Sequence, residues 1–480
     1  MTRSKPGPAP APALPEPFAG WFAARGWRPH AHQLALVEAD REGRSALLIA
    51  PTGGGKTLAG FLPSLVALAE RPREGLHTLY ISPLKALAVD IHRNLEIPVA
   101  EMGLAIDAET RTGDTKQSKR QRQRRRPPHI LLTTPESLAL LLSYADAPAI
   151  FRNLRRVVVD ELHALTGIKR GDLLALGLAR LQRLAPHCRR VGLSATVADE
   201  QALLDWISPT GRANDDEVRL VRGRSGAKAE IAILATGAYL PWSGHMALHA
   251  IEEVHAAIAG ARTALVFVNT RAQAELVFNA LWRINEANLP IALHHGSLAP
   301  EQRRKVEAAM ARGALRAVVA TSSLDLGVDW AAVDLVIQVG APKGASRLIQ
   351  RIGRSNHRLD EPSRALLVPA NRFEVLECRA AVEAIRENEL DGDPPRPGGL
   401  DVLAQHILGM ACEAPFAAEA LYAEVTSAAP YRALPRADFD AVLDYVATGG
   451  YALRSYERWH RIVPNEDGLY RAASPTVVRR

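Results

Sequence analysis

The sequence predicts an α/β protein with two parallel-sheet lobes in tandem and a smaller helical domain at the carboxyl end. Three observations carry that expectation. Short β-branched runs alternate with longer helical stretches through two thirds of the 480 residues. The rhythm is run through twice. It then stops at Asp391–Gly399 (DGDPPRPGG), the strongest breaker cluster in the chain. Strands that are apolar on both faces and separated by helices form parallel sheets covered on each side. The length exceeds one ordinary domain and suits about three.

In order along the chain, residues 1–16 are expected to be a disordered tail, broken by prolines and without an apolar core. The first lobe spans 17–215. Its candidate strands are Leu47–Ala50, Thr78–Ser82, His129–Thr133, Arg156–Val159 and Arg190–Leu193, with apolar-periodic helices such as Leu58–Ala69 and Asp172–Leu184 between them. Residues 216–238 read as a linker, because Asn214-Asp215-Asp216 and Gly223–Gly226 are turn-rich and polar. The second lobe, 239–395, repeats the pattern with Ala264–Val268, Ile291–His294, Arg316–Ala320, Leu335–Val339 and Ala365–Val368. In 396–480 three short helices (Leu400–Ala411, Ala417–Thr426, Arg436–Ala447) precede a strand pair in Tyr451–Val463. Three helices and a β wing outline a winged helix.

Composition narrows the function classes. Hydrophobic residues make up 47% and charged residues 23%, the balance of a globular protein. No apolar stretch approaches the roughly 18–20 residues that span a bilayer, so no membrane partner is expected. The amino terminus is not a secretory signal. The scattered Cys188, Cys378 and Cys412 show neither a disulfide framework nor zinc-ligand spacing and fit a reducing cytoplasm. A formal charge of +7 is compatible with a polyanionic partner.

Two segments carry chemistry. After Leu47–Ala50 comes Pro51-Thr52-Gly53-Gly54-Gly55-Lys56-Thr57, then a helix. Glycines let successive amides curl toward a phosphate, and the helix N-terminus adds its positive end. Lys56 would reach the β- and γ-phosphates, and the Thr57 hydroxyl would bind magnesium. Such loops normally begin with glycine, and here Ala50 holds that place. Asp160-Glu161-Leu162-His163 follows the apolar run Val157-Val158-Val159. A buried strand that delivers two acids at its end is costly unless a cation and a water wait there. Asp160 would hold magnesium through water, and Glu161 would polarise the attacking water.

These residues resemble the DExH-box helicases of superfamily 2, most densely the large helicase-related family with its bacterial ligase-associated DNA damage response branch. The series runs through Gln33 in RPHAHQ, PTGGGKT at 51–57, SPLKAL at 82–87, RTGDT at 111–115, TTPESL at 133–138, DELH at 160–163 and Ser194-Ala195-Thr196. It continues with VFVNTR at 266–271, HHGS at 294–297, ATSSLDLGVDW at 320–330 and QRIGRSNHR at 350–358. The resemblance implies that both lobes are RecA-like and that ATP and Mg2+ bind in the cleft between them. Gln33 would read adenine, with Thr52, Gly53, Gly54 and Gly55 around the phosphates. Arg354 would be the arginine finger, Gly327 and Asp329 would line the nucleotide side of the second lobe, and Gln350 and Arg351 would stand by the nucleotide and couple it to the strand. Ser194, Thr196 and His163 would link hydrolysis to the nucleic-acid side. The general pattern places a second arginine where this chain has His357, followed by Arg358.

The resemblance also implies a strand track at the strand ends. In the first lobe its residues are Pro83, Lys85, Gly113, Thr134 and Pro135. In the second they are Asn269, Thr270, Arg271, Gly296, Ser297, Thr321 and Ser322. Contacts without sequence preference go to sugar and phosphate, although turn chemistry alone also accounts for any isolated Ser, Thr or Gly. His294-His295 reads as a structural pair at a strand end. The run Thr115–Arg126 (TKQSKRQRQRRR) fits a solvated helix face and a nucleic-acid patch equally. Trp27 fits adenine stacking and core packing alike. Aromatic residues total only 5%, which disfavours a long stacking platform.

The implied protein is a cytoplasmic, nucleoid-associated DNA helicase or translocase, monomeric, moving 3′-to-5′ on single-stranded DNA. It would unwind tailed duplex or RNA–DNA hybrid in DNA repair, with DNA ligase or other repair proteins as partners. An RNA helicase and an ATP-gated nucleic-acid clamp are the competing readings. Family members continue past the winged helix, and Arg480 falls about where that domain would finish.

Overall fold

The computed structural model describes residues 14–51, 53–195, 197–211, 217–224, 226–237, 239–244, 246–325, 333–355, 361–392 and 396–478. Expectations for Thr52, Thr196, Gly327, Asp329, His357 and Arg358 fall outside these residues.

The first lobe holds β1 (Ser45–Ile49), β2 (Thr78–Ile81), β3 (Ala108–Arg111), β4 (Ile130–Thr133), β5 (Arg156–Val159), β6 (Arg189–Ser194) and β7 (Val218–Arg222). All pair in parallel, in the order β3-β4-β2-β5-β6-β1-β7. The second lobe holds β8 (Glu230–Ile233), β9 (Ala264–Phe267), β10 (Ile291–His294), β11 (Ala317–Ala320), β12 (Leu335–Val339) and β13 (Arg364–Val368). They form a parallel sheet in the order β10-β11-β9-β12-β13-β8. Helices cover both faces of each sheet, so the central strands are largely apolar on both faces. The chain is thus two RecA-like lobes followed by a winged helix.

Three stretches differ from the sequence expectation. Within 216–238, β7 and β8 each close an edge of one sheet, because Val218 and Val221 are buried on β1 and Glu230–Ile233 pairs with β13. A polar, glycine-rich composition hid two short edge strands. At the amino end, Leu14 is buried, and the Pro15 carbonyl accepts from Phe18 N at 2.9 Å, so these two residues of the expected tail pack on the first lobe. The wing is β14 (Ile462–Pro464) and β15 (Tyr470–Ala472), not a pair within Tyr451–Val463. Gly449 and Gly450 turn the chain with positive φ, and Tyr451 stands wholly in solvent. The hairpin turn lies instead at Asn465–Gly468, where Asp467-Gly468 was the available signal.

The winged helix does not sit apart. Helices Leu400–Glu413, Ala418–Thr426 and Arg436–Thr448 share one hydrophobic core with the first lobe: Leu403, Ile407, Val425 and Phe439 pack in the same cluster as Leu138, Leu174 and Leu178. Ionic joints flank it. Arg180 donates to Glu413, at 2.5 Å in its ion pair, and to Glu424 at 3.0 Å. Arg396 reaches Asp172 at 2.9 Å.

Candidate active site

The carboxyl ends of β1, β5 and β6 lie side by side, and the sequence loads each of them. Past β1 the backbone turns through Gly53 (φ 77°) and Gly55 (φ 70°), conformations that cost a side-chain-bearing residue about 1 kcal/mol or more. Gly55 leads directly into helix Lys56–Glu70. The half-buried Lys56 ammonium donates to the Ala50 carbonyl at 2.9 Å. Burial lowers its pKa, while Glu161 and Asp160 pull it back up.

The departure at Ala50 has a structural counterpart. A Cβ built on Gly223, just past β7, would lie 2.5 Å from the Ala50 Cβ. The methyl that replaces the usual glycine is accommodated because its neighbour has none.

Asp160 and Glu161 end β5, which stands two strands from β1 in the sheet. Burial first and the neighbouring Glu161 second push Asp160 up to about 7, against the Tyr80 hydroxyl and Lys56. Burial would raise Glu161 as well, but Lys56, His163 and Arg354 outweigh it and hold the carboxyl below its ordinary value. Glu161 adopts the left-handed region (φ 47°, ψ 46°), which turns it off the strand line. Its carboxylate lies 3.6 Å from His163 Nε2 and 3.9 Å from Arg354 Nη2. His163 Nδ1 meets Ser194 Oγ at 3.1 Å and the Ala195 N–H at 3.3 Å, so a side-chain chain runs from Glu161 to the end of β6.

Arg354 comes from the other lobe, in the turn after helix Ala345–Ile352. It is buried, and its Nε has no hydrogen-bond partner among the described residues. An unpartnered buried donor beside a carboxylate and an ammonium is poised for an anion. Lys56, Thr57, Asp160, Glu161 and Arg354 line one cavity of ≈ 1060 Å³. In the same lining Gln33 accepts from His30 N at 2.8 Å, lies within 3.5 Å of the Gly55 carbonyl, and so buttresses the loop. Trp27 is exposed on the rim, with the Arg25 guanidinium 5.0 Å from its ring centroid. Core packing is thereby ruled out for Trp27.

Arg351 departs from expectation. Its guanidinium turns into the second lobe, bound by both oxygens of Asp325 at 2.8 and 3.2 Å and by Gln338 Oε1 at 2.6 Å. Three of its five N–H donors are so engaged, and Arg351 does not line the cavity, so its contacts hold the helix that leads to Arg354 against the second lobe. Gln350 is half-buried on that helix, outside the cavity lining.

Among the expected strand contacts, the first-lobe set is brought together. The Lys85 ammonium lies 3.1 Å from Asp114 and against Gly113, and Arg170 binds both the Pro83 carbonyl and Glu136, in the turn of Thr134 and Pro135. In the second lobe Arg271 lies beside Gly296, and the Ser297 N–H donates to His295. The Asn269 amide donates to the Ala341 carbonyl at 2.8 Å, and the Thr270 hydroxyl caps helix Arg271–Arg283, so both have structural work. Thr321 is buried and Ser322 opens a short 3₁₀ turn beside it. His294 pairs with Glu307 and His295 with Glu275, acidic partners that spacing did not reveal, yet no metal-ligand cluster exists among the described residues.

Comparison with known proteins agrees with this architecture. Residues 30–204 match the DEAD/DEAH box helicase family, 247–358 the helicase conserved C-terminal domain and 383–480 the large helicase-related protein winged helix domain. The chain is 35% identical over 454 residues to the ATP-dependent helicase Lhr-Core of Methanocaldococcus jannaschii, covering 91% of this chain and 53% of that one. It is 34% identical over 510 residues to the Lhr helicase/uracil glycosylase of Escherichia coli, covering 92% and 33%. The solved structure of Mycobacterium smegmatis helicase Lhr bound to ssDNA and AMP-PNP superposes with a TM-score of 0.85 at 36% identity, covering 97% of this chain and 61% of that one. The chain therefore spans between a third and about half the length of these two curated relatives.

Proposed function

From its membership of the large helicase-related family, we propose that this chain is an ATP-hydrolysing helicase or translocase acting on single-stranded DNA. One observation carries the reading: a lysine of the first lobe and an arginine of the second line one cavity and both act on Glu161. A triphosphate bound there would be gripped from both lobes, and loss of the γ-phosphate would release that grip.

The residues fit a magnesium nucleotide. The buried acid pair calls for a cation, and Thr57 and Asp160 would hold Mg2+, which supplies charge neutralisation at the phosphates. Glu161, held below its ordinary value by Lys56 first and by its other neighbours His163 and Arg354, is suited to take a proton from water. Arg354 would meet the charge that develops on the transferred phosphate. His163 and Ser194 would pass the state of Glu161 toward the strand track. Movement 3′-to-5′, unwinding of tailed duplex or RNA–DNA hybrid and a repair role with ligase or other partners are the finer parts of the proposal. Support for DNA as the substrate comes from the mycobacterial Lhr, whose structure holds single-stranded DNA.

DNA-stimulated ATP turnover tests the site. Glu161→Gln should lower kcat by about 10²–10⁴ and Arg354→Ala by about 10³–10⁵, with strand binding retained. Full turnover in either variant removes the assignment. Unwinding of 3′- and 5′-tailed DNA and hybrid duplexes then reads direction and substrate.

A further inference from the structure

The strand track and the nucleotide cleft both lie at the carboxyl ends of the first lobe's strands, where Pro83 follows β2, Thr134 follows β4 and Asp160 follows β5. The opposite edge of the same sheet carries a different feature. Arg73 precedes β2, Arg125 and Arg126 precede β4, and Arg152 and Arg155 precede β5. These three strands are neighbours, in the order β4-β2-β5, so the five guanidinium groups issue from adjacent strand entrances. All five are exposed, and none has a side-chain hydrogen bond or ion pair among the described residues.

Other cations nearby are neutralised: Arg122 and Lys119 pair with Glu109, and Arg124 with Asp146. The five are not. Arg125, Arg126 and Arg152 border a hollow of ≈ 730 Å³, in which Glu74 and Asp107 are the carboxylates without an ion pair among the described residues. Buried His77 is held at about 3 by burial first, then by the charge of Arg156, with Arg73 and Arg155 after it. Like charges left unpaired in so small an area repel one another, a cost that an anionic ligand removes. Four residues of strand separate the two edges, roughly 13 Å at about 3.3 Å per residue, so a strand in the track does not serve them.

We propose that this edge of the first lobe is a second nucleic-acid surface, on which Arg73, Arg125, Arg126, Arg152 and Arg155 grip the phosphate backbone of a duplex segment. The hollow is lined without Phe, Tyr or Trp. Without an aromatic platform the hollow offers charge to phosphates and little surface on which successive splayed bases could stack, which favours a duplex over a single strand. The surface owes nothing to the nucleotide cycle and would bind even if the ATP site were inert.

The test measures binding of a blunt DNA duplex without nucleotide, across a salt series, by the wild type and by R125Q/R126Q/R152Q/R155Q. Affinity should fall at least about tenfold, and the slope of log K against log salt should shrink by roughly 0.9 for each phosphate that is no longer neutralised. The matching quadruple lysine variant should recover most of the affinity, since backbone contact needs charge more than a planar fork. Single-strand-stimulated ATPase should stay at the wild-type rate in both variants, which separates this surface from the motor reading. Duplex binding unchanged in affinity and slope overturns the proposal. So does a glutamine variant that keeps duplex binding but loses a polyglutamate peptide, which would make the occupant an acidic protein segment.

Discussion

Replacing Arg180 by leucine tests how the winged helix is joined to the first lobe. Arg180 leaves helix Lys169–Leu184 of the first lobe and lies between Glu413 and Glu424 of the winged helix. The arginine side chain is 15% exposed, and the glutamate side chains are 4% and 3% exposed. Removing one partner of a buried pair strands the others without compensation, at about 3–5 kcal/mol. With a urea slope of about 3 kcal/mol per molar, the unfolding midpoint at pH 7 should drop by about 1 M or more. The acid limb gives a second reading with a definite sign. In the wild type, burial opposes ionisation of Glu424, but His406 and Arg180 outweigh it and lower its pKa. Its stabilising share is therefore present above the unfolded carboxylate value near about 4.3 and is lost below it. In the variant only His406 and Arg183 still offset the burial penalty at Glu424, and Glu413 loses Arg180, so acid protonation costs less and relieves part of the strain. The gap between the two proteins should narrow as pH falls from about 7 toward about 4. Arg180→Leu combined with Glu413→Gln and Glu424→Gln should regain much of the loss. An unchanged midpoint at pH 7, or a gap that widens in acid, refutes the joint.

Two further outcomes follow from the packing. Gly223→Ala would press a methyl against the Ala50 side chain, costing about 1–3 kcal/mol by overpacking; Ala50→Gly should rescue it in a double-mutant cycle, and simple additivity would contradict the contact. His77, held at about 3 in the folded chain and close to 6.5 when unfolded, contributes stability that is complete above the unfolded value and falls as pH drops from about 6.5 toward 3. His77→Gln should flatten the stability–pH curve across that window, as read by denaturant titration, and an unaltered slope would count against the assignment.

What the sequence disclosed is what lies within a few residues of a strand end. The glycine-lysine loop, the acid pair after Val157–Val159 and the arginine of QRIGR are local patterns whose chemistry is legible without a neighbour. Long-range partners were not. Arg180 meets Glu424 across 244 positions and Arg396 meets Asp172 across 224, and neither side of either pair is unusual in its own segment. Arg351 stood in the same motif as Arg354, but only the fold shows that Asp325 and Gln338 draw it inward. The edge strands β7 and β8 were hidden because their flanks are polar, and the wing because its strands are three residues each.

The shared core has a consequence for how a cleft motion would be delivered. Since the winged helix and the first lobe bury their apolar surface in one cluster, any opening between lobes displaces the second lobe against a fused remainder. The helix that carries Arg354 toward the cleft is held at its start by Asp391, which accepts from Ser346 N at 2.8 Å. From the same stretch of chain, Arg396 binds the Gly167 carbonyl and Asp172 of the first lobe. The arginine-bearing helix is therefore bonded at its start to Asp391 and leads at its other end to Arg354, which stands 3.9 Å from the Glu161 carboxylate, so opening of the cleft would part that contact.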